Sequence, residues 1–136
     1  MTPGGQDGRE VQGPGTARWR ARSYNIITAA GRLEVEGIVR SPFGIDERTD
    51  GETGSRSWAV THLPSGLAVV VRIRARAVAL AFTDRIAGLT DWTARDISAT
   101  PELREQVRIA LERTYDEFQA GRLPGDPEKK LWTSAS

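Results

Sequence analysis

Along residues 57–89 the hydrophobic positions change period once, and the change predicts a β-hairpin running straight into a helix. Residues 58–63 and 67–73 are rich in β-branched and aromatic side chains, which suit a pleated, half-buried surface. Between them stands Leu63-Pro64-Ser65-Gly66. Pro64 presets φ at one central position of a turn, and Gly66 tolerates positive φ just after it. From about Ala75 onward Val78, Ala81, Phe82, Ile86 and Leu89 recur at helical spacing, and Gly88 is placed to stop that helix in a left-handed cap.

Upstream, residues 24–29 and 32–40 predict a second hairpin, joined near Ala30-Gly31. Leu33 and Val35 alternate there with Glu34 and Glu36. Gly37 interrupts the alternation and predicts a bulge that exchanges the two faces beyond it. Residues 41–55, S-P-F-G-I-D-E-R-T-D-G-E-T-G-S, read as an acidic loop. Downstream, residues 90–99 read as a connector whose Trp92 and Ile97 cover one end of the core. Thr100-Pro101-Glu102 then carries three helix-start signals: an N-cap hydroxyl, a proline at the first helical position, and an acid at the favourable end of the dipole. This helix is expected to reach about Ala120 and to end at Gly121. Its expected buried stripe is Leu103, Val107, Ala110, Leu111, Thr114 and Phe118.

These elements define an α+β class: an antiparallel sheet of about four strands, in two hairpins, covered by two α-helices. The length of 136 residues fits one domain. The expected division is a flexible Gly/Pro/Arg-rich arm over 1–22, a single α+β domain over 23–122, and a polar tail over 123–136. The longest apolar run, residues 67–71, is too short to span a membrane, and the N-terminus lacks the basic start and apolar core of a signal peptide. A cytoplasmic protein is therefore expected.

Most enzyme templates fail for want of parts. There is no cysteine and a single histidine, so thiolate chemistry and histidine-rich metal patterns are excluded. No serine sits in a G-x-S-x-G elbow that could pair with His62. His62 reads as a packed or hydrogen-bonded side chain. The acids of 41–55 miss the calcium-loop template, because Arg48 falls where a ligand oxygen is needed. The N-terminal glycines lack the G-K-[ST] ending of a phosphate loop. No catalytic residue, metal site or cofactor is assigned.

Charge adds one positive feature. The net charge of +1 conceals a basic excess at residues 1–22 and 56–89, balanced by acidic excess elsewhere. Two near-repeats carry it, R-W-R-A-R at 18–22 and R-I-R-A-R at 72–76. In an extended chain each places three guanidiniums on one side of a ribbon. Arg72, Arg74 and Arg76 lead into a helix start, and Trp19 lies among Arg18, Arg20 and Arg22, a combination suited to phosphates and a stackable base. The structural alternative is that arginines guard an exposed strand edge. The leading expectation is a non-enzymatic module that binds an anionic ligand, nucleic acid or nucleotide-like, through these rows. The alternative is a protein-binding regulator or inhibitor acting by surface occlusion through the Ile109 and Tyr115 face, as a homo-oligomer in one version. Deleting residues 1–16 should leave the melting temperature unchanged, because their composition buries too little apolar area to offset ordering entropy; a clear drop in a thermal scan would show that they pack.

Overall fold

In the computed structural model, which describes residues 18–123, the first hairpin forms where the alternation placed it. Strands β1 (Arg20–Thr28) and β2 (Gly31–Arg40) pair antiparallel in unbroken register, from Arg20 opposite Val39 to Thr28 opposite Gly31. β3 (Phe43–Thr49), β4 (Arg56–His62) and β5 (Leu67–Ile73) follow, then α1 (Arg76–Ile86) and α2 (Pro101–Gln119). The result is a five-stranded antiparallel meander in the order β1-β2-β3-β4-β5, packed with two helices. None of the described helices is long and apolar enough to cross a membrane.

The fold class is as expected, with one strand more. Residues 41–55 are not one loop: β3 occupies their first half and pairs with both β2 and β4. The strand was hidden because Gly44, Asp46 and Arg48 dilute a run of only seven residues. Each has a structural reason. A Cβ on Gly44 would lie 2.7 Å from the ring of Tyr24, so only glycine fits beneath that ring. Asp46 is buried and held by Tyr24 and Arg48. Beyond the strand, Asp50 accepts the backbone N–H groups of Thr53 and Glu52 in a tight turn, and these bonds hold its carboxyl below the usual range.

Gly37 is not a bulge. Its pairing with Arg22 continues the ladder on both sides. What requires glycine there is the next strand: a Cβ would stand 2.2 Å from the carbonyl oxygen of Ile45. The faces therefore do not exchange, and Ile38, Ile45 and Val60 stand opposite one another across β2, β3 and β4. With Phe43, Ile73, Val78, Phe82 and Ile86 they form the core between sheet and helices. Val39, Gly44 and Thr61 align on the other face, and they too are buried. That second burial comes from curling of the sheet. The Ile27 N–H donates to the Gly66 carbonyl at 2.8 Å, drawing the far end of β1 against the β4–β5 turn.

Residues 18–22 do not behave as an arm. Arg20 opens β1, and Trp19 is buried in the core, with the Arg40 guanidinium 4.7 Å from its ring centroid. Arg40 also pairs with Asp84 of α1, so the start of β1 is fastened through Trp19 and Arg40 to the helix layer. The rest of the arm, and the tail from residue 124, lie outside the described residues.

α1 ends through Ala87 in ordinary helical geometry, and Gly88 does not form the left-handed cap expected of it. α2 starts as its signals dictate: the Thr100 hydroxyl accepts the Leu103 N–H at 3.1 Å, Pro101 follows, and Gly121 at φ 72° closes the helix. Ala110 and Thr114 are buried against the core, and Leu103, Val107 and Leu111 are half-buried. Phe118 departs from the expected stripe and is 43% exposed. Tyr115, expected on a free face, packs against the core, and its hydroxyl accepts the Arg74 N–H at 2.9 Å. The Ile109–Tyr115 docking face therefore reduces to Ile109 alone.

Three variants test this packing. Phe82→Ala, at a fully buried ring, should cost about 3–5 kcal/mol in urea titration. Phe118→Ala should cost under about 1 kcal/mol, since much of its ring stays in water when folded. Gly37→Ala should cost about 1–3 kcal/mol, because the clash is with backbone and only a shift of β3 can relieve it.

Candidate functional site

The predicted arginine rows do not survive as rows. β5 carries two irregularities against β4, with extra residues between Ala68 and Val70 and between Val70 and Ile73. In the second, Arg72 adopts φ 64°, an uncommon conformation for a side-chain-bearing residue. Arg72 and Arg74 are exposed, whereas Arg76 is buried in the first turn of α1. The strict alternation needed for three guanidiniums on one side is broken before it begins. In the other repeat, Arg18, Arg20 and Arg22 are exposed along edge strand β1, but Trp19 is in the core and offers no face to a base.

The structure brings Arg22 together with two arginines that sequence reasoning passed over. Arg22 from β1, Arg32 from β2 and Arg95 from the α1–α2 connector line one polar cleft of about 430 Å³. Tyr24, Asn25, Ser23 and Ser65 complete its polar wall, and no carboxylate lines it. Among the described residues, none of the three arginines has a hydrogen-bonded or ion-paired partner. Five other arginines are matched with acids: Arg40 with Asp84, Arg48 with Asp46, Arg56 with Glu47, Arg85 with Glu117, and Arg108 with Glu105 and Glu112. The signal was not in sequence spacing. Arg22, Arg32 and Arg95 reach the wall of one cleft through the tertiary placement of β1, β2 and the connector, not through a run in the sequence.

The connector is held there by His62. This side chain is 3% exposed. Its Nε2 donates to the Trp92 carbonyl at 2.6 Å, since a carbonyl can only accept, which leaves Nδ1 to accept from the Ser65 hydroxyl at 2.8 Å. Ser65 Oγ in turn accepts the Leu67 N–H at 3.1 Å. The contact is a turn lock: serine braces its own turn, and the far nitrogen of the histidine meets a backbone carbonyl where a nucleophile's base has a carboxylate. Trp92 is fixed further by donation from its indole to the Ile86 carbonyl at 2.7 Å and by an edge contact with Phe43, ring centroids 5.3 Å apart.

Beside the polar cleft lies an apolar groove of about 600 Å³. β5 forms one wall with Leu67, Val69 and Val70, and α2 the other with Leu103, Val107 and Leu111. His62 and Trp92 are also among its lining residues. Ser65 and Arg95 line both cavities.

Beneath the sheet's second face, Tyr24 donates its phenol to Asp46 at 3.0 Å, and Arg48 pairs with the same carboxylate at 2.8 Å. Burial, reinforced by the Asp46 charge, pushes the Tyr24 phenol well above its ordinary value. No group of His, Asp and Glu among the described residues is arranged to hold a metal ion. Comparison with family models, with curated proteins and with solved structures found no match.

His62→Leu should destabilise the fold by at least about 2 kcal/mol in urea titration, because it leaves the buried Trp92 carbonyl unpaired and frees the Ser65 hydroxyl. Tyr24→Phe should lose about 1–3 kcal/mol at pH 7, the cost of leaving Asp46 one hydrogen bond short. Its pH dependence has a fixed sign. A phenol whose folded-state pKa is raised contributes fully below about pH 10, where unfolded tyrosine ionises, and its contribution falls as pH rises further. The gap between wild type and Tyr24→Phe should therefore narrow above about pH 10 in the same titration.

Proposed function

We propose that this protein is a binding module for a small anionic ligand bearing phosphate or carboxylate, nucleotide-like in its charge, held in the cleft that Arg22, Arg32 and Arg95 line. The observation that carries this reading is one polar cleft lined by three arginines from three separate elements, with no carboxylate in its wall. A wall whose charged residues are all cationic favours an anionic occupant. Guanidiniums are suited to bidentate contact with phosphate and carboxylate, and a concave polar setting shields such pairs from part of the screening that weakens surface ones. Tyr24 is committed to Asp46, and Ser65 to His62 and the Leu67 N–H, which leaves Asn25 and Ser23 as the neutral groups that would orient the ligand.

A long polyanion is the competing version of the same chemistry. It would run along Arg18, Arg20 and Arg22 on the edge of β1 and engage Arg72 and Arg74. Curvature of the sheet and burial of Trp19 and Arg76 favour the compact ligand.

Calorimetry at low salt with phosphate, pyrophosphate and a nucleotide panel tests the proposal. Each of Arg22→Gln, Arg32→Gln and Arg95→Gln should weaken binding roughly ten- to a hundredfold, as expected for loss of one charge-assisted pair of about 1.5–3 kcal/mol. Arg72→Gln with Arg74→Gln should leave small-anion binding unchanged. If that double variant instead lowers the salt slope for a labelled oligonucleotide by about 1.5–2, the polymer version replaces the cleft. Absence of any binding tighter than millimolar would end both.

A further inference from the structure

The polar cleft and the apolar groove share Ser65 and Arg95 as lining residues, so the two cavities adjoin there. On the cleft side the charged lining is arginine alone, with hydroxyl and amide groups beside Ile27, Val39 and Leu63; on the groove side both flanks carry aliphatic side chains. From this juxtaposition we infer that the ligand is an amphipathic anion, a monomeric single-chain aliphatic phosphate or carboxylate, with its head among Arg22, Arg32 and Arg95 and its chain in the groove between β5 and α2. The inference rests on the cleft reading proposed above and specifies its substrate class.

The groove shows what a buried chain would cover. Leu67 is 55% exposed, and Leu103, Val107 and Leu111 are only half-buried although they form the apolar side of α2. α2 packs along α1, and the space between α2 and β5 is not closed by any described element. A chain seated there would be flanked by Val69 and Val70 on one side and by Val107 on the other. Charge at the groove supports the same orientation. Arg95 and Arg104 line it with no acid partner among the described residues, while Arg108 is neutralised by Glu105 and Glu112. Asp96 also lines the groove next to Arg95, and Arg104 stands on its α2 wall. A neutral apolar chain suits the groove, and an anionic head suits the junction. A second helix or a peptide would leave the three arginines of the cleft unanswered.

Calorimetry on the full chain with inorganic phosphate, butyl, hexyl and octyl phosphate below their micellar concentrations, and 1-octanol reads the inference directly. Affinity should rise about fourfold per added methylene, the factor that about 0.8 kcal/mol of transfer free energy per buried CH₂ gives. Val107→Gln should flatten this chain-length dependence and leave inorganic phosphate binding unchanged, whereas Arg95→Gln should weaken every phosphate in the series. The wild-type series stands by itself if Val107→Gln folds poorly. Phosphate binding with no dependence on chain length overturns the inference and leaves the cleft reading intact. Octanol binding as tightly as octyl phosphate overturns it by showing that the head contributes nothing. Binding to anionic vesicles without binding to monomeric octyl phosphate overturns it in favour of a membrane surface. Failure of all phosphates removes the cleft reading and this inference together.

Discussion

One buried imidazole fixes the geometry on which the candidate site depends. His62 stands at the last position of β4, and its two ring nitrogens reach in opposite directions, to the Ser65 hydroxyl in the turn and to the Trp92 carbonyl in the connector. An imidazole offers two polar atoms on a flat ring whose faces still pack, here with the Trp92 ring centroid 6.0 Å away. Between α1 and α2 the chain has no regular structure to hold it, so its position is set by such individual bonds. Trp92 supplies the second of them by donating to the Ile86 carbonyl. Fastened at these points, the connector carries Arg95 to the place where cleft and groove meet.

The elements written in periodicity were legible, and those defined by curvature were not. Both hairpins, the Pro64-Gly66 turn and the α2 cap follow from local chemistry that a single sequence displays. β3 was hidden because its polar residues are buried by partners far along the chain: Asp46 by Tyr24, and Gly44 by the ring of the same tyrosine. Gly37 was noticed for the wrong reason, since a bulge and a close backbone approach leave the same mark in a sequence. Phe118 continued the helical stripe numerically, yet it is 43% exposed, while Tyr115 is the aromatic of that turn that packs against the core. Of the residues that build the proposed anion site, Arg22 stood out in the sequence. Arg32 and Arg95 could not, because neither belongs to a run and both depend on the closure of Ile27 onto Gly66.

The arginines separate into three environments that composition cannot distinguish. Some answer acids, as Arg48 answers Asp46 and Arg85 of α1 answers Glu117 of α2. Arg40 works through its plane as much as its charge, stacking over Trp19 while pairing with Asp84. A third environment, a concave wall without carboxylates, holds Arg22, Arg32 and Arg95. Near-repeats of Arg in a sequence therefore point to ligand recognition less strongly than the absence of acids around a few scattered ones.

The edge strand β5 shows the same division along its own length. A terminal strand exposes unpaired backbone groups and invites association with another chain unless something blocks it. Toward its end, Arg72 projects from an irregular position with positive φ, and Arg74 follows just beyond the strand, a charged and distorted stretch that suits the guarding role. Toward its beginning no such device is present: Leu67 is largely exposed, and Val69 and Val70 line the groove. An unguarded apolar edge is tolerable where another surface limits access to it, and α2 stands across the groove in that role. The spacing between β5 and α2 is thus what keeps this stretch from being either a packed core or an aggregation edge. It is also what gives the polar cleft an apolar neighbour, with Ser65 and Arg95 lining both.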